Sequence, residues 1–207
     1  VDGERLPPER DMAAGLGRSV GTLRKSLDEL TGLGLLERVQ GSGNYVCAQE
    51  DTQSVYAFFR VELLEGGGLP TAELLSVDRL TKPDGLPAFG QSEEGHRIRR
   101  LRQLNGVPAV LEEIWLDGAY TETIDTEALR ESLYLYYRES LGLWITKAED
   151  RLDLSRVPDW TPTEFGLAAG QPCMCATRVS YGPDGSSAEA SWNWINTAVA
   201  TYVARIT

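Results

Sequence analysis

Residues 6–46 read LPPERDMAAGLGRSVGTLRKSLDELTGLGLLERVQGSGNYV, and their spacing sets the architecture of the first part of the chain. Pro8 suits the opening of a helix, where its missing N–H costs nothing, and Met12, Ala13 and Leu16 follow at helical intervals until Gly17 ends the run. Ser19 is suited to cap a second helix, along which Leu23, Leu27 and Leu30 share one core-facing stripe. Two short helices joined by a tight, glycine-containing turn form a helix-turn-helix pattern, whose second helix offers its N-terminal residues to the major groove of duplex DNA. The period then changes. LLERV and NYVCA are β-prone runs flanking Gln40, Gly41, Ser42 and Gly43, which predicts a hairpin, or wing, with a tip small enough to approach a phosphate or the minor groove.

The whole chain has 207 residues, enough for two modest domains that each bury a core. Its net charge of -11 argues against nucleic acid only until the charges are located. Up to Ala48, Arg5, Arg10, Arg18, Arg24, Lys25 and Arg38 nearly balance Asp2, Glu4, Glu9, Asp11, Asp28, Glu29 and Glu37, so most of the acidic excess belongs to the remainder. No apolar stretch approaches the roughly 20 residues that cross a bilayer, and VDGERLPPERDM lacks the basic-then-apolar form of a signal peptide. A cytoplasmic protein without membrane contact is expected. Cys47, Cys173 and Cys175 are an odd set, read as free thiols, and with His96 remote from the C-x-C pair no metal site is expected.

Beyond the single patterns, the run as a whole resembles the DNA-binding domain of the GntR family, from the L-P-x-E-R opening through the G-T-x-R helix and the G-L-L-E-R strand to the Q-G-S-G wing. The resemblance implies that Arg10 meets the phosphate backbone, that Ser19, Gly21, Thr22 and Arg24 lie on the recognition helix, and that Gly41 and Ser42 form the wing tip. Arg24 is the residue assigned to a base edge or a nearby phosphate. The family commonly has arginine where this chain has Val20 and valine where it has Arg18, so Arg18 is expected to supply the displaced charge. The family also begins with a further helix, of which VDGERLPP shows only the following loop.

Residues 49–54 are polar and unpatterned, as in a linker, which divides the chain into 1–48, 49–54 and 55–207. In the third part YAFFRVELL, AELLSVDRLT, HRIRRLRQL, PAVLEEIWL, EDRLDLSRV, CMCATRVSY and SAEASWNWI are strand candidates, and EALRESLYLYYRESLG and TPTEFGLA helix candidates. Asn105-Gly106 and Asp184-Gly185 are hairpin signals, so an α+β domain with a mainly antiparallel sheet is expected. By strand alternation Arg100 and Arg102 share a face, Glu112 lies with Val110 and Ile114, and Glu189 lies with Ser191, Asn193 and Ile195. Trp192 and Trp194 point the other way, to the core or a dimer contact, and Tyr136 and Tyr137 are read as packing residues.

The order R-x-R, N-G-x-P, a glutamate-bearing strand, S-L-Y opening a helix, FGLAAGQP, and G-P-D-G before an A-E strand resembles the UTRA domain of the HutC subfamily of GntR regulators. That resemblance implies a chorismate-lyase-like fold with a small-molecule pocket beside the sheet, lined by Arg100, Arg102, Glu112, Ser132, Leu133, Tyr134, Glu189, Ser191 and Asn193. Backbone N–H groups at Ser132, Leu133 and Tyr134 would hold an anionic group and the arginines would grip it bidentately. The combined expectation is a cytoplasmic homodimer that binds double-stranded operator DNA, represses, needs no cofactor and responds to a polar or anionic effector such as a sugar phosphate or acidic metabolite. Two alternatives stand beside it, a chorismate-lyase-like enzyme and a DNA-binding dimer that senses nothing. One histidine, and the absence of H-E-x-x-H and of G-x-x-x-x-G-K-[ST], leave little equipment for catalysis.

Overall fold

The computed structural model describes residues 5–32, 36–39, 43–46, 58–129 and 131–205. The chain forms two compact units, Val1–Phe59 and Arg60–Thr207. The expected linker, 49–54, lies outside the described residues, as do Cys47 and the wing-tip residues Gly41 and Ser42.

The first unit holds α1 (Glu9–Gly15), α2 (Val20–Gly32), β1 (Leu36–Val39) and β2 (Gly43–Val46). Pro8 precedes α1 and its carbonyl accepts from Asp11 and Met12 at 2.9 and 3.1 Å, while Glu9 and Asp11 place negative charge at the positive end of the helix dipole. The helix ends because Gly17 takes φ +62°, which lets Arg18 N–H reach the Ala13 carbonyl at 3.0 Å and Gly17 N–H that of Ala14 at 3.2 Å. These paired bonds satisfy carbonyls a helix end leaves open, and only glycine reaches that conformation without strain. Ser19 caps α2, its hydroxyl accepting from Thr22 N–H at 3.1 Å. Ala13, Leu23, Leu27 and Leu36 form the core, with Leu6, Met12, Val20 and Leu30 packed around it. β1 and β2 pair antiparallel, and the incoming chain joins them, Leu6 N–H bonding the Asn44 carbonyl at 2.8 Å.

The second unit is built on a six-stranded sheet in the order β4 (Pro70–Thr81), β5 (Glu94–Leu104), β6 (Val107–Asp117), β9 (Ser187–Ile195), β8 (Pro172–Tyr181) and β7 (Lys147–Arg156). Every neighbouring pair is antiparallel. β5 turns into β6 at Asn105 (φ 52°) and Gly106 (φ 80°), both in the left-handed region that a tight two-residue hairpin requires. A separate ribbon pairs β3 (Val61–Leu63) with β10 (Ala200–Tyr202). Helix α3 (Leu133–Leu141) is capped by Ser132 and stopped by Gly142 in the left-handed conformation.

One face of the sheet is apolar. Leu101, Leu111, Cys173, Cys175 and Trp194 pack there with Val157 and Phe165, and Leu86, Phe89, Trp115 and Ala190 extend the layer. Both tryptophans, 192 and 194, thus belong to the core, and burial pushes the Cys175 thiol up to about 12, far from the reactive thiolate. The opposite face carries the polar side chains and receives α3.

Three elements differ from their sequence signals. Of YAFFRVELL, Tyr56 and Ala57 lie outside the described residues, and among the rest the strand is β3 alone, with Val61 and Leu63 buried. TPTEFGLA makes a single 3-10 turn, Thr163–Phe165, whose purpose is to bury Phe165, and the helix expected over 127–142 begins only at Leu133. β10 was given no signal by its alternation, being three residues long.

Candidate functional site

Strand order decides what the polar face holds. In the ladders Arg100 lies opposite Glu112, Glu112 opposite Asn193, Leu116 opposite Glu189, and Arg178 opposite Ser191, so four strands present these side chains side by side on one surface. Glu112 is gripped twice. Arg100 Nε donates to its Oε2 at 2.9 Å and Arg102 Nε to its Oε1 at 2.7 Å, while both guanidiniums also reach the Glu131 carbonyl at 3.2 Å, immediately before α3. All three side chains are buried, at 5, 4 and 5 % exposure for Arg100, Arg102 and Glu112. Burial alone would raise the Glu112 pKa, but the two guanidiniums overcome it and hold the carboxyl at about 2. Two guanidiniums on one carboxylate concentrate positive charge in this corner.

The second half of the face is a set of hydroxyls around Glu189. Tyr137 Oη donates to it at 2.8 Å, Ser180 Oγ at 2.9 Å and Tyr134 Oη at 3.3 Å. Burial raises the Glu189 pKa despite these bonds. Tyr134 continues the chain of contacts to Arg178, whose guanidinium makes two bonds to Asp150, at 2.6 and 2.7 Å, and Tyr202 Oη closes on the same carboxylate at 2.7 Å. Asn193 donates to the Ala176 carbonyl at 3.1 Å and to Ser191 Oγ at 3.0 Å.

All nine expected pocket residues therefore lie on, or directly above, one face. Ser132 is committed as the α3 cap, its hydroxyl accepting from Leu135 N–H at 3.4 Å, and Leu133 is buried beside it. Tyr137, expected to do no more than pack, is instead a direct hydrogen-bond partner of Glu189, because the helix periodicity that buries its ring also aims its hydroxyl at the sheet. Arg178, Asp150, Ser180, Glu131 and Tyr202 belong to the same layer and were not singled out by any motif. The lone histidine, His96, is buried with Nε2 on the Thr121 carbonyl at 2.9 Å, a structural position.

In the first unit, Arg10, Arg18, Ser19, Gly21, Thr22 and Arg24 are all exposed. Ser19 and Thr22 hydroxyls bond one another at 2.9 Å at the start of α2. Arg24 Nε is held by Glu9 of α1 at 2.6 Å, a partner that no motif announced.

Residues 1–46 match the bacterial regulatory proteins of the gntR family, and residues 65–199 match the UTRA domain. The chain belongs to the GntR family and carries a UTRA domain. This GntR regulator is 65% identical over 206 residues to the HTH-type transcriptional regulator SmoD of Agrobacterium fabrum, with 100% of this chain and 88% of that protein covered. It is 24% identical over 189 residues to the HTH-type transcriptional repressor NagR of Bacillus subtilis, covering 89% of this chain and 78% of the relative. Its fold is similar to the crystal structure of the ligand-binding domain of a putative GntR-family transcriptional regulator from Bordetella bronchiseptica, with a TM-score of 0.63 at 22% identity over 72% of this chain and 98% of that one. The GntR regulator is thus a DNA-binding transcriptional regulator and not an enzyme. Among the described residues no helix is long and apolar enough to cross a membrane.

Proposed function

We propose that this regulator acts in the cytoplasm as a homodimeric repressor whose operator affinity falls when a polar, anionic metabolite enters the layer between α3 and the sheet. The observation that carries this reading is the pairing of Arg100 and Arg102 on the single carboxylate of Glu112, directly below the N-terminal end of α3. Two buried guanidiniums at a helix N-terminus suit a phosphate, sulfonate or carboxylate, and the nearby Glu189, Ser180 and Asn193 suit hydroxyl groups, as on a sugar. Support for repression comes from the name of the Bacillus relative.

On the DNA side, Arg10, Arg18 and Arg24 supply phosphate or base contacts, Ser19, Gly21 and Thr22 bring the start of α2 to the groove, and Gly41 with Ser42 form the wing. Gly21 supports this assignment. A Cβ there would meet nothing closer than Ser19 Oγ at 3.8 Å, so packing does not demand glycine, although glycine inside a helix costs about 1 kcal/mol. Close approach of a phosphate backbone does demand it.

Because Arg100, Arg102 and Glu189 are sealed, an effector enters only if α3 and the segment before it shift. That displacement is the conformational difference that binding energy works through to re-space the DNA-reading units of the dimer. The test is a thermal-shift screen of sugar phosphates, amino acids and organic acids, followed by operator-release titration with each hit. An effector that stabilises the wild type and releases DNA, but does neither for Arg100→Ala, supports the reading; stabilisation unchanged in Arg100→Ala overturns the site assignment.

A further inference from the structure

The strongest feature outside the polar layer is the outer strand of the sheet. β7 ends the strand order and has β8 on one side only, in a ladder that runs from Lys147↔Tyr181 to Arg156↔Pro172 without a register shift. Among the described residues it has neither bulge nor proline, devices that protect free edges, and it pairs with no second strand. Leu152 and Leu154 stand 49 and 75 % exposed on it. The opposite edge is treated differently, since the Glu131 carboxylate occupies the Ala72 N–H of β4.

We infer that β7 is the dimer contact, pairing antiparallel with β7 of a second copy of this chain across a two-fold axis at Leu152. This rests on the homodimer reading above and specifies its interface.

The register follows from the strand itself. Leu154 N–H bonds the side chain of Asp153 at 2.7 Å instead of β8, so it points off the free edge. Alternation then directs the backbone groups of Asp150 and Leu152 outward as well. Symmetric pairing that keeps the two sheet faces continuous requires the axis to pass through a residue. Centred on Asp150, Arg151 or Asp153, it sets a charge against its own copy. Centred on Leu154, it leaves the first half of β7 without a partner. Centred on Leu152, it sets leucine against leucine in a hydrogen-bonded pair and places Arg151 opposite the partner's Asp153, twice, in the non-hydrogen-bonded positions where side chains approach most closely. Leu154 then lies diagonal to the partner's Leu152 on the other face. Asp153, which in the single chain bonds its neighbour's N–H, gains a guanidinium, and that N–H gains a strand carbonyl.

Sedimentation equilibrium on the full chain tests the contact, with the charge-swap set R151D, D153R and R151D/D153R. Each single reversal is expected to weaken dimerisation by about tenfold or more, since it turns two attractive cross-strand pairs into repulsive ones, and the double reversal to restore it to within about threefold. Leu152→Lys, which sets two cations on the axis, checks the contact independently on the other face of the strand and should give a monomer that keeps the wild-type far-ultraviolet circular dichroism and loses the concentration dependence of the melting temperature. A wild-type dimer indifferent to all four variants overturns the β7 contact and leaves the homodimer reading standing. A wild type that is monomeric at every concentration overturns both.

Discussion

The Tyr137 hydroxyl donates to Glu189 at 2.8 Å, which fastens α3 to the middle of the sheet at a point closed to water. Tyr137→Phe should lower stability by about 1–2 kcal/mol, measured by urea unfolding. The sign of its pH dependence follows from Glu189. Burial raises that carboxyl's pKa, so its contribution is complete below the ordinary value of 4.5 and is lost as pH rises through the folded value. The phenylalanine removes a donor that the ionised form needs most, and the loss should be larger at neutral pH than in acid.

Glu112 behaves in the opposite sense. Its carboxyl titrates at about 2 in the folded chain against 4.5 ordinarily, so the unfolded chain binds the extra proton between those values. Stability from this group is present above pH 4.5 and drains away as pH falls toward 2. Glu112→Gln, which strands both Arg100 and Arg102, should cost about 3–5 kcal/mol at neutral pH and flatten the acid limb of a midpoint-against-pH curve.

Arg24 and Glu9 separate DNA contact from fold. Arg24→Ala should weaken operator binding by about tenfold or more and reduce the slope of log affinity against log salt by about one, with the melting temperature nearly unchanged. Glu9→Gln, which removes the charge from the 2.6 Å pair, should leave both the melting temperature and the fold nearly unchanged. Fluorescence anisotropy across a salt series distinguishes the two.

Gly90 offers a test of packing away from either function. It holds φ +61°, and a Cβ would overlap the carboxylate of Asp117, which accepts from Lys82 Nζ at 2.9 Å and from Gln91 N–H at 2.8 Å. Gly90→Ala should destabilise by about 2–4 kcal/mol in the same urea assay, through left-handed strain and displacement of that carboxylate.

What the sequence made legible was local chemistry. The Gly17 helix end, the Ser19 cap and the Asn105-Gly106 turn each depend on residues within a few positions, and each is present. Alternation correctly grouped Arg100 with Arg102, and Glu189 with Ser191 and Asn193. It had no means of showing that these two groups share one surface, because that depends on β6 lying between β5 and β9. Asp150 and Arg178 stayed invisible for the same reason: their pairing exists only because β7 flanks β8. Tyr202 comes from a strand too short to have a period, and Glu131 contributes its main chain, which no residue pattern encodes.

The Glu131 carbonyl has one more bearing on kinetics. Arg100 and Arg102 are never bare in the resting chain, since the peptide just ahead of α3 already sits on them. Any incoming anion must win against a tethered rival whose local concentration never dilutes. On the proposed reading its uptake is gated by how often that peptide lifts, and the observed association rate should level off as the anion is raised, even when its final occupancy continues to climb.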